Sequence, residues 1–239
     1  KINGLTVMSL GDTSFGSPAR ITASVYPGSK GIVDIEREVA LGQAIHSKGV
    51  MILSGFLGNR YAQKFPLAIS AHIAMEQSYG YVDGDSASMA ELICLISALI
   101  HSPIDQSFAI TGSVNQYGEA QAIGGVNEKI EGFFRLCNAR GLTGKQGVII
   151  PAANQRNLVL HDDVLKAVEA GEFHIYCVRH VDEAIHLLLD REPGIADAEG
   201  NFPEGSVNGE IIKRLEAIAR MTDPSRKDGE SPEDDASVK

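Results

Sequence analysis

The first candidate for chemistry is a serine that stands directly before the clearest helical pattern in the sequence. Gly84 permits a tight turn after Asp83, so Ser86 is expected at or just before the helix N-terminus. Unpaired backbone N–H groups and the helix dipole at such a position suit an oxyanion hole, and the small Ala87 leaves room for a substrate carbonyl. Ser86 and Asp85 are also favoured cap residues, and the local sequence alone favours capping over catalysis.

The second candidate is a lysine in the first turn of another predicted helix. Gly124 and Gly125 allow a close backbone approach, Asn127 is the predicted N-cap, and Lys129 follows. The positive end of a helix dipole disfavours a charged amine, and burial would lower its pKa further. A neutral amine is what a general base needs at neutral pH. The alternative is an exposed surface lysine, which is the usual fate of this residue type.

Other catalytic patterns are missing from the sequence. The seven histidines are scattered, and none stands in a Gly-x-Ser-x-Gly elbow or a His-Glu-x-x-His motif. No paired carboxylates are marked out by their spacing. Residues 141–145 lack the spacing and the Ser or Thr of a phosphate-binding loop. The sequence therefore predicts no metal site and no cofactor site.

Composition favours one sizeable globular domain. The chain has 239 residues, of which 44% are hydrophobic, and a net charge of −10 that argues against a nucleic-acid partner. No apolar run approaches the length of a membrane span. Cys94, Cys137 and Cys177 have no disulfide or zinc spacing, which indicates reduced thiols in the cytoplasm. The start at Lys1 indicates a fragment of a longer protein or a processed product.

Alternating strand and helix patterns predict an α/β or α+β fold. After residue 192 the composition turns to Gly, Asp, Pro and Glu. We therefore predict a domain over residues 1–192 and an acidic C-terminal extension over 193–239, with a short helix near 209–221 and a disordered tail. The predicted strands are 4–8, 19–26, 31–35, 108–111, 147–151 and 174–178; the predicted helices are 36–48, 87–100, 129–138, 162–170 and 182–189, and residues 60–76 are helical or pass from helix to strand.

The two candidate segments together resemble the active site of the Lon protease family. Residues 82–88, Val-Asp-Gly-Asp-Ser-Ala-Ser, are similar to the nucleophile signature of its B-type branch, and they depart from the A-type pattern at Asp85 and Ser88. Residues 123–129 resemble the family's lysine segment, and the separation of Ser86 and Lys129, 43 residues, is similar to that in the family. Further similar stretches, in the same order along the chain, are residues 25–28, 53–58, 110–114, 148–158 and 181–184.

The resemblance implies a serine endopeptidase that cleaves unfolded or damaged proteins in protein quality control. It implies the Lon proteolytic fold, with mixed small sheets and flanking helices, and a hexameric ring of identical subunits. It also implies an ATPase module that precedes this domain and carries the ATP and Mg²⁺. Since the chain has no Walker-type loop, we expect no nucleotide to bind to it.

In the implied mechanism Ser86 is the nucleophile and Lys129 its general base. Thr111 either forms a supporting hydrogen bond with Lys129 or is an ordinary strand residue without a catalytic role. Asp83 and Asp85 would raise the pKa of Lys129 if they reached it. Asp83 is thus either an inhibitory partner in a resting state or a turn residue that faces solvent. Two other functions stay open: a catalytically silent ring scaffold, and a Ser-Lys amidase acting on small substrates.

Overall fold

A computed structural model describes residues 1–78 and 80–222. The tail predicted to be disordered, residues 223–239, lies outside the described residues. The described residues form nine strands, in chain order: β1 (Ile2–Leu10), β2 (Thr13–Pro27), β3 (Gly31–Asp34), β4 (Ile69–Met75), β5 (Phe108–Ile110), β6 (Ser113–Val114), β7 (Ala120–Gln121), β8 (Gly147–Pro151) and β9 (His174–Val178).

Most strands join one mixed sheet. Its order is β3-β4-β2-β1-β5-β8-β9, while β6 and β7 form a separate antiparallel pair. β1, β2 and β4 are antiparallel neighbours, whereas β3 runs parallel to β4 and β1, β5, β8 and β9 are parallel to one another. The predicted α/β class is confirmed, although a single seven-stranded sheet replaces the small sheets that the resemblance implied.

Helices cover both faces of this sheet. They are α1 (Ile35–Glu38), α2 (Ala44–Tyr61), α3 (Ser88–Ile100), α4 (Val126–Arg140), α5 (Asp162–Glu169), α6 (Val181–Leu189) and α7 (Val207–Thr222), with a short 3-10 helix at Ala152–Asn157. Within residues 1–78 and 80–222 none of them is both long enough and apolar enough to cross a membrane.

Strand β8 shows how the sheet divides the core. Because side chains alternate along a strand, Ile149 packs on one face with α3, and Val148 and Ile150 pack on the other face with α4 and α5. All five residues of β8 are buried, as is typical of a parallel strand covered on both sides. Helix α3 is buried on almost every side, which explains why its sequence is apolar all round.

Several predicted bounds are wrong in instructive ways. The predicted helix 36–48 is broken, because the chain turns after α1 with Ala40 at φ 58° and α2 begins only at Ala44. Residues 60–76 pass from the end of α2 to β4, which confirms the second of the two predicted alternatives for this stretch. Asn127 is not the N-cap of α4, since the helix begins at Val126 after Gly125. The Asn127 side chain instead accepts a hydrogen bond from the Val159 N–H, at 3.0 Å.

The helix of the C-terminal extension packs on the main core. It runs over Val207–Thr222, longer than predicted, and buries Val207, Ile211, Leu215 and Ile218 in the same cluster as α3. Residue 192 thus marks a change of composition, across which packing continues. The division into two units stays a prediction.

Candidate active site

A loop fixed to the end of β5 positions Ser86. Gly84 lies at φ 92°, a backbone conformation that glycine adopts without strain, and α3 begins two residues after Ser86. The Ser86 carbonyl accepts hydrogen bonds from the Gly112 N–H at 2.9 Å and from the Thr111 hydroxyl at 3.2 Å. These contacts hold the backbone of Ser86 while its side chain stays half-exposed.

A close contact between two glycines positions Lys129. Helix α4 lies directly on β2, and a Cβ atom added to Gly132 would stand 2.0 Å from the carbonyl oxygen of Gly16. A Cβ atom added to Gly16 would stand 2.6 Å from the Cα atom of Lys129. The sequence interpretation missed both glycines. Gly132 carried a signal, because a glycine inside a helix costs about 1 kcal/mol relative to Ala and therefore needs a packing reason.

The structure brings the two candidate residues into direct contact. The Lys129 Nζ atom lies 2.9 Å from Ser86 Oγ and 3.1 Å from Thr111 Oγ1. Lys129 is only 3% exposed and Thr111 is fully buried. The amine thus has two hydroxyl partners, and neither brings a charge.

Burial changes the protonation of this amine. It lowers the pKa of Lys129 from 10.5 to about 8, against the opposing influence of the Asp85 and Glu128 carboxylates. The physical cause is desolvation, because an ammonium ion loses its hydration when the side chain is buried. Near neutral pH an appreciable fraction of Lys129 is therefore the neutral amine.

The two aspartates beside Ser86 occupy different environments. Asp85 is half-buried, and its carboxylate accepts a hydrogen bond from the Ser113 hydroxyl at 2.9 Å. Asp83 is exposed, and no ion pair joins it to Lys129 in the described part of the chain. This placement fits the turn interpretation of Asp83 rather than the inhibitory one. Ala87 lies half-exposed at the N-cap of α3.

Ser86 and Lys129 open onto a groove of about 1040 Å³. One wall consists of the β1–β2 hairpin, and the other consists of residues 75–78, 80–84, 86 and 87. Gly124 and Gly125 lie at the Lys129 end of the groove. Its size and position give an extended chain access to the serine.

Comparison with known proteins agrees with this geometry. Residues 43–191 match the Lon protease (S16) C-terminal proteolytic domain family. The chain is 52% identical over 202 residues to a Lon protease homolog of Escherichia coli (strain K12), covering 84% of this chain and 34% of that protein. A Lon protease homolog of Haemophilus influenzae is 45% identical over 223 residues, which are 92% of this chain and 37% of that protein.

One archaeal relative is similar over a shorter stretch. The archaeal Lon protease of Methanocaldococcus jannaschii is 40% identical over 119 residues, which are 50% of this chain and 16% of that protein. The chain spans about a third of the length of the two bacterial relatives. From the family match over residues 43–191, the chain belongs to the Lon protease family and comprises its C-terminal serine protease domain.

Proposed function

We propose that this chain is an active serine endopeptidase in which Ser86 is the nucleophile and Lys129 its general base. The observation that carries the proposal is the 2.9 Å contact between Lys129 Nζ and Ser86 Oγ. It is supported by the burial that lowers the pKa of Lys129 to about 8. An exposed lysine would be charged at neutral pH and could not accept the serine proton.

The reaction follows from this contact. The neutral amine of Lys129 takes the hydroxyl proton of Ser86, and Oγ attacks the scissile carbonyl carbon. The resulting ammonium group returns the proton to the leaving amine as the peptide bond breaks, which leaves an acyl-enzyme. Lys129 then takes a proton from water, whose oxygen attacks the acyl carbon, and returns the proton to Ser86 Oγ on release of the carboxyl product.

Two neighbouring groups support the reaction in this proposal. The backbone N–H of Ser86, beside the N-terminus of α3, stabilises the negative charge on the substrate oxygen. Thr111 keeps the Lys129 amine aimed at Ser86, since its hydroxyl lies 3.1 Å from Nζ. Asp85 accepts a hydrogen bond from Ser113 and favours the charged form of Lys129. Its carboxylate therefore opposes the fall in the Lys129 pKa that burial causes.

The substrates we propose are unfolded proteins and peptides in extended conformation. β1 pairs with β2 along its whole length but with β5 only at Gly4, so the far half of β1 keeps one unpaired edge among the described strands. Thr6, Val7 and Met8 from this half line the groove. A peptide that pairs with a free strand edge gains main-chain hydrogen bonds that do not depend on its sequence.

The assembly is part of the same proposal. We propose a hexameric ring of identical subunits that an ATPase module, with its ATP and Mg²⁺, supplies with substrate in the full-length protein. This part rests on the family membership and on the relatives being about three times as long as this chain. A cytoplasmic location is proposed from the three free cysteines, which are typical of a reducing compartment.

The test is the cleavage of an unfolded protein, such as casein, by Ser86→Ala and Lys129→Gln variants. Both variants should lose activity by a factor of about 10²–10⁴ or more, because each removes one partner of the proton transfer. Lys145→Gln, which removes an exposed lysine from a loop, is the matched control and should stay active. Ser86 and Lys129 form the proposed catalytic dyad, and full activity in the variant of either residue would overturn the proposal.

Two further readouts separate the alternative functions. A reagent that acylates active serines should label Ser86 in the unaltered chain, whereas a silent ring scaffold would not be labelled. A small-substrate amidase would react with the reagent and hydrolyse small amides but leave casein intact. The proposal requires both labelling and casein degradation.

A further inference from the structure

A second cluster of polar side chains is buried beside α3, whose first turn supplies one of its members. Asp34 ends β3, Glu36 lies in α1, His46 lies in the first turn of α2, and Glu91 lies in α3. Their exposed fractions are 4%, 5%, 1% and 1%. Three carboxyl groups and one imidazole therefore share a region from which water is excluded.

Each of two carboxylates uses one oxygen in a hydrogen bond to the backbone and leaves the other without a hydrogen bond. Asp34 Oδ1 accepts a hydrogen bond from the Glu36 N–H at 3.2 Å, and Glu36 Oε1 accepts one from the Met75 N–H at 2.7 Å. Asp34 Oδ2, Glu36 Oε2 and His46 Nε2 are buried and form no hydrogen bond among the described residues, although Asp34 Oδ2 and His46 Nε2 lie at ion-pair distance, 3.3 Å, from each other. Buried polar atoms are nearly always hydrogen-bonded, so three such atoms in one place need an explanation.

Donor atoms of these three side chains converge. One ligand atom from each of Asp34, Glu36 and His46 lies within 4.8 Å of the other two. His46 Nε2 is 3.3 Å from Asp34 Oδ2, which is close to the separation of two donor atoms on one ion when each bond is about 2.1 Å. A single cation between the three side chains could therefore take one donor atom from each after a small side-chain adjustment.

We propose that Asp34, Glu36 and His46 bind one divalent transition-metal ion. One imidazole nitrogen and two carboxylate oxygens form a donor set suited to Zn²⁺, Mn²⁺ or Fe²⁺. Mg²⁺ and Ca²⁺ fit less well, because both prefer oxygen donors alone. A divalent ion would also neutralise the two carboxylates, whose burial without a counter-charge is unfavourable.

Glu91 completes the arrangement without binding the ion. Its Oε1 atom lies 3.8 Å from His46 Nδ1, the ring nitrogen that faces away from Asp34, which is an ion-pair contact and too long for a hydrogen bond until the side chains move closer. Metal-binding histidines usually donate their second N–H to a carboxylate, which fixes the ring and strengthens the metal bond. We therefore assign Glu91 as the positioning residue of His46.

The proposed ion would stabilise the segment that precedes Ser86. Residues 36–46 connect two of its ligands, and within this stretch Leu41 and Gln43 exchange backbone hydrogen bonds with Val82, both at 2.9 Å. Val82 is four residues before Ser86. The ion would act on folding stability and on the order of this loop, and it takes no part in the proton transfer between Ser86 and Lys129.

The test is calorimetric titration of the 239-residue chain with Zn²⁺ and with Mn²⁺ after dialysis against a chelator. We expect one ion per chain and a higher thermal midpoint of unfolding on loading. His46→Gln should abolish this stoichiometric binding, and Glu91→Gln should weaken it about 10–100-fold. His161→Gln is the matched control, since it removes an exposed histidine that also faces a glutamate, and it should bind as the unaltered chain does.

Two results would overturn the proposal: no stoichiometric binding to folded protein, or equal affinity in His46→Gln. The first would mean that protons alone neutralise the cluster, and the second that the ion binds elsewhere. If His46→Gln does not fold, X-ray absorption of the zinc-loaded unaltered chain decides. One imidazole with carboxylate oxygens around the ion is expected, and a spectrum without imidazole would refute the assignment.

Discussion

Two buried polar groups flank the start of α3, and they differ in how their atoms are satisfied. In the dyad, the Lys129 amine lies within 3.1 Å of two hydroxyls and opens onto the groove. In the acid–histidine cluster of Asp34, Glu36, His46 and Glu91, three buried atoms form no hydrogen bond among the described residues. The dyad has its hydrogen bonds and is open to the groove, whereas the cluster is closed to solvent. Burial therefore lowers the pKa of the base in one place and, in our proposal, creates a cation site in the other.

Outside Ser86 and Lys129 themselves, the largest effect is expected from breaking the glycine contact that positions α4. In Gly132→Ala the new Cβ atom would meet the Gly16 carbonyl at 2.0 Å, so α4 must move and carry Lys129 with it. We expect kcat/KM to fall about 100-fold, the cost of a displacement of about 1 Å at a catalytic group. Overpacking should also lower the free energy of unfolding by about 1–3 kcal/mol.

Gly58→Ala is the control for this change. Gly58 also lies inside a helix, but nothing lies within 4 Å of an added Cβ atom. Activity should stay unchanged, and the free energy of unfolding should rise by up to about 1 kcal/mol. Equal activity of the two variants in steady-state assays would show that the glycine contact does not place Lys129.

A smaller effect is expected when one hydroxyl partner of Lys129 is removed. Thr111→Val keeps the shape of the side chain but leaves the buried amine with one partner fewer. An unsatisfied buried group costs about 1–3 kcal/mol, so kcat should fall about 10–100-fold. Thr111→Ser restores the hydroxyl and should restore most of the activity. If valine and serine variants are equally active, Thr111 is only a strand residue.

A shift of pH dependence should distinguish the two aspartates. Asp85 raises the pKa of Lys129, so Asp85→Asn should lower that pKa and move the acid limb of the pH–rate profile to lower pH. Asp83 is exposed and does not contact Lys129, so Asp83→Asn should leave the limb in place. A shift in Asp83→Asn that matches the one in Asp85→Asn would revive Asp83 as an inhibitory partner.

The smallest effect on the dyad is expected from the acid–histidine cluster. None of its residues is among the charges that set the pKa of Lys129. Glu36→Gln should therefore change metal affinity and the thermal midpoint of unfolding but leave the midpoint of the pH–rate profile unchanged. A displaced midpoint, measured on folded protein, would mean that the two buried sites are electrostatically coupled.

The pairing of Ser86 with Lys129 was predicted from the family resemblance, because the local pattern of each segment left a helix cap or a surface lysine as the alternative. Ser86 precedes a helix whose apolar residues repeat regularly, and Lys129 follows two glycines at a helix start. Strands β8 and β9 were predicted with the bounds observed, since short buried strands between turn residues leave a clear pattern.

The acid–histidine cluster could not be predicted in this way. Asp34, Glu36 and His46 have no recognised metal-binding spacing, and Glu91 joins them only because α3 packs beside α2. The break between α1 and α2 was missed for a related reason: Glu36 turns inward to bind the Met75 N–H, which helix propensity cannot indicate. Long-range contacts decide both features.

The most direct test of the central claim is the rate of Ser86 acylation by a neutral serine reagent, measured against pH. The nucleophile is activated only when Lys129 is neutral, so the rate should rise about tenfold per pH unit and level off above a midpoint near 8. In Lys129→Gln this limb should disappear. A midpoint near 10.5, the ordinary lysine value, or an unchanged limb in Lys129→Gln would contradict Lys129 as the general base.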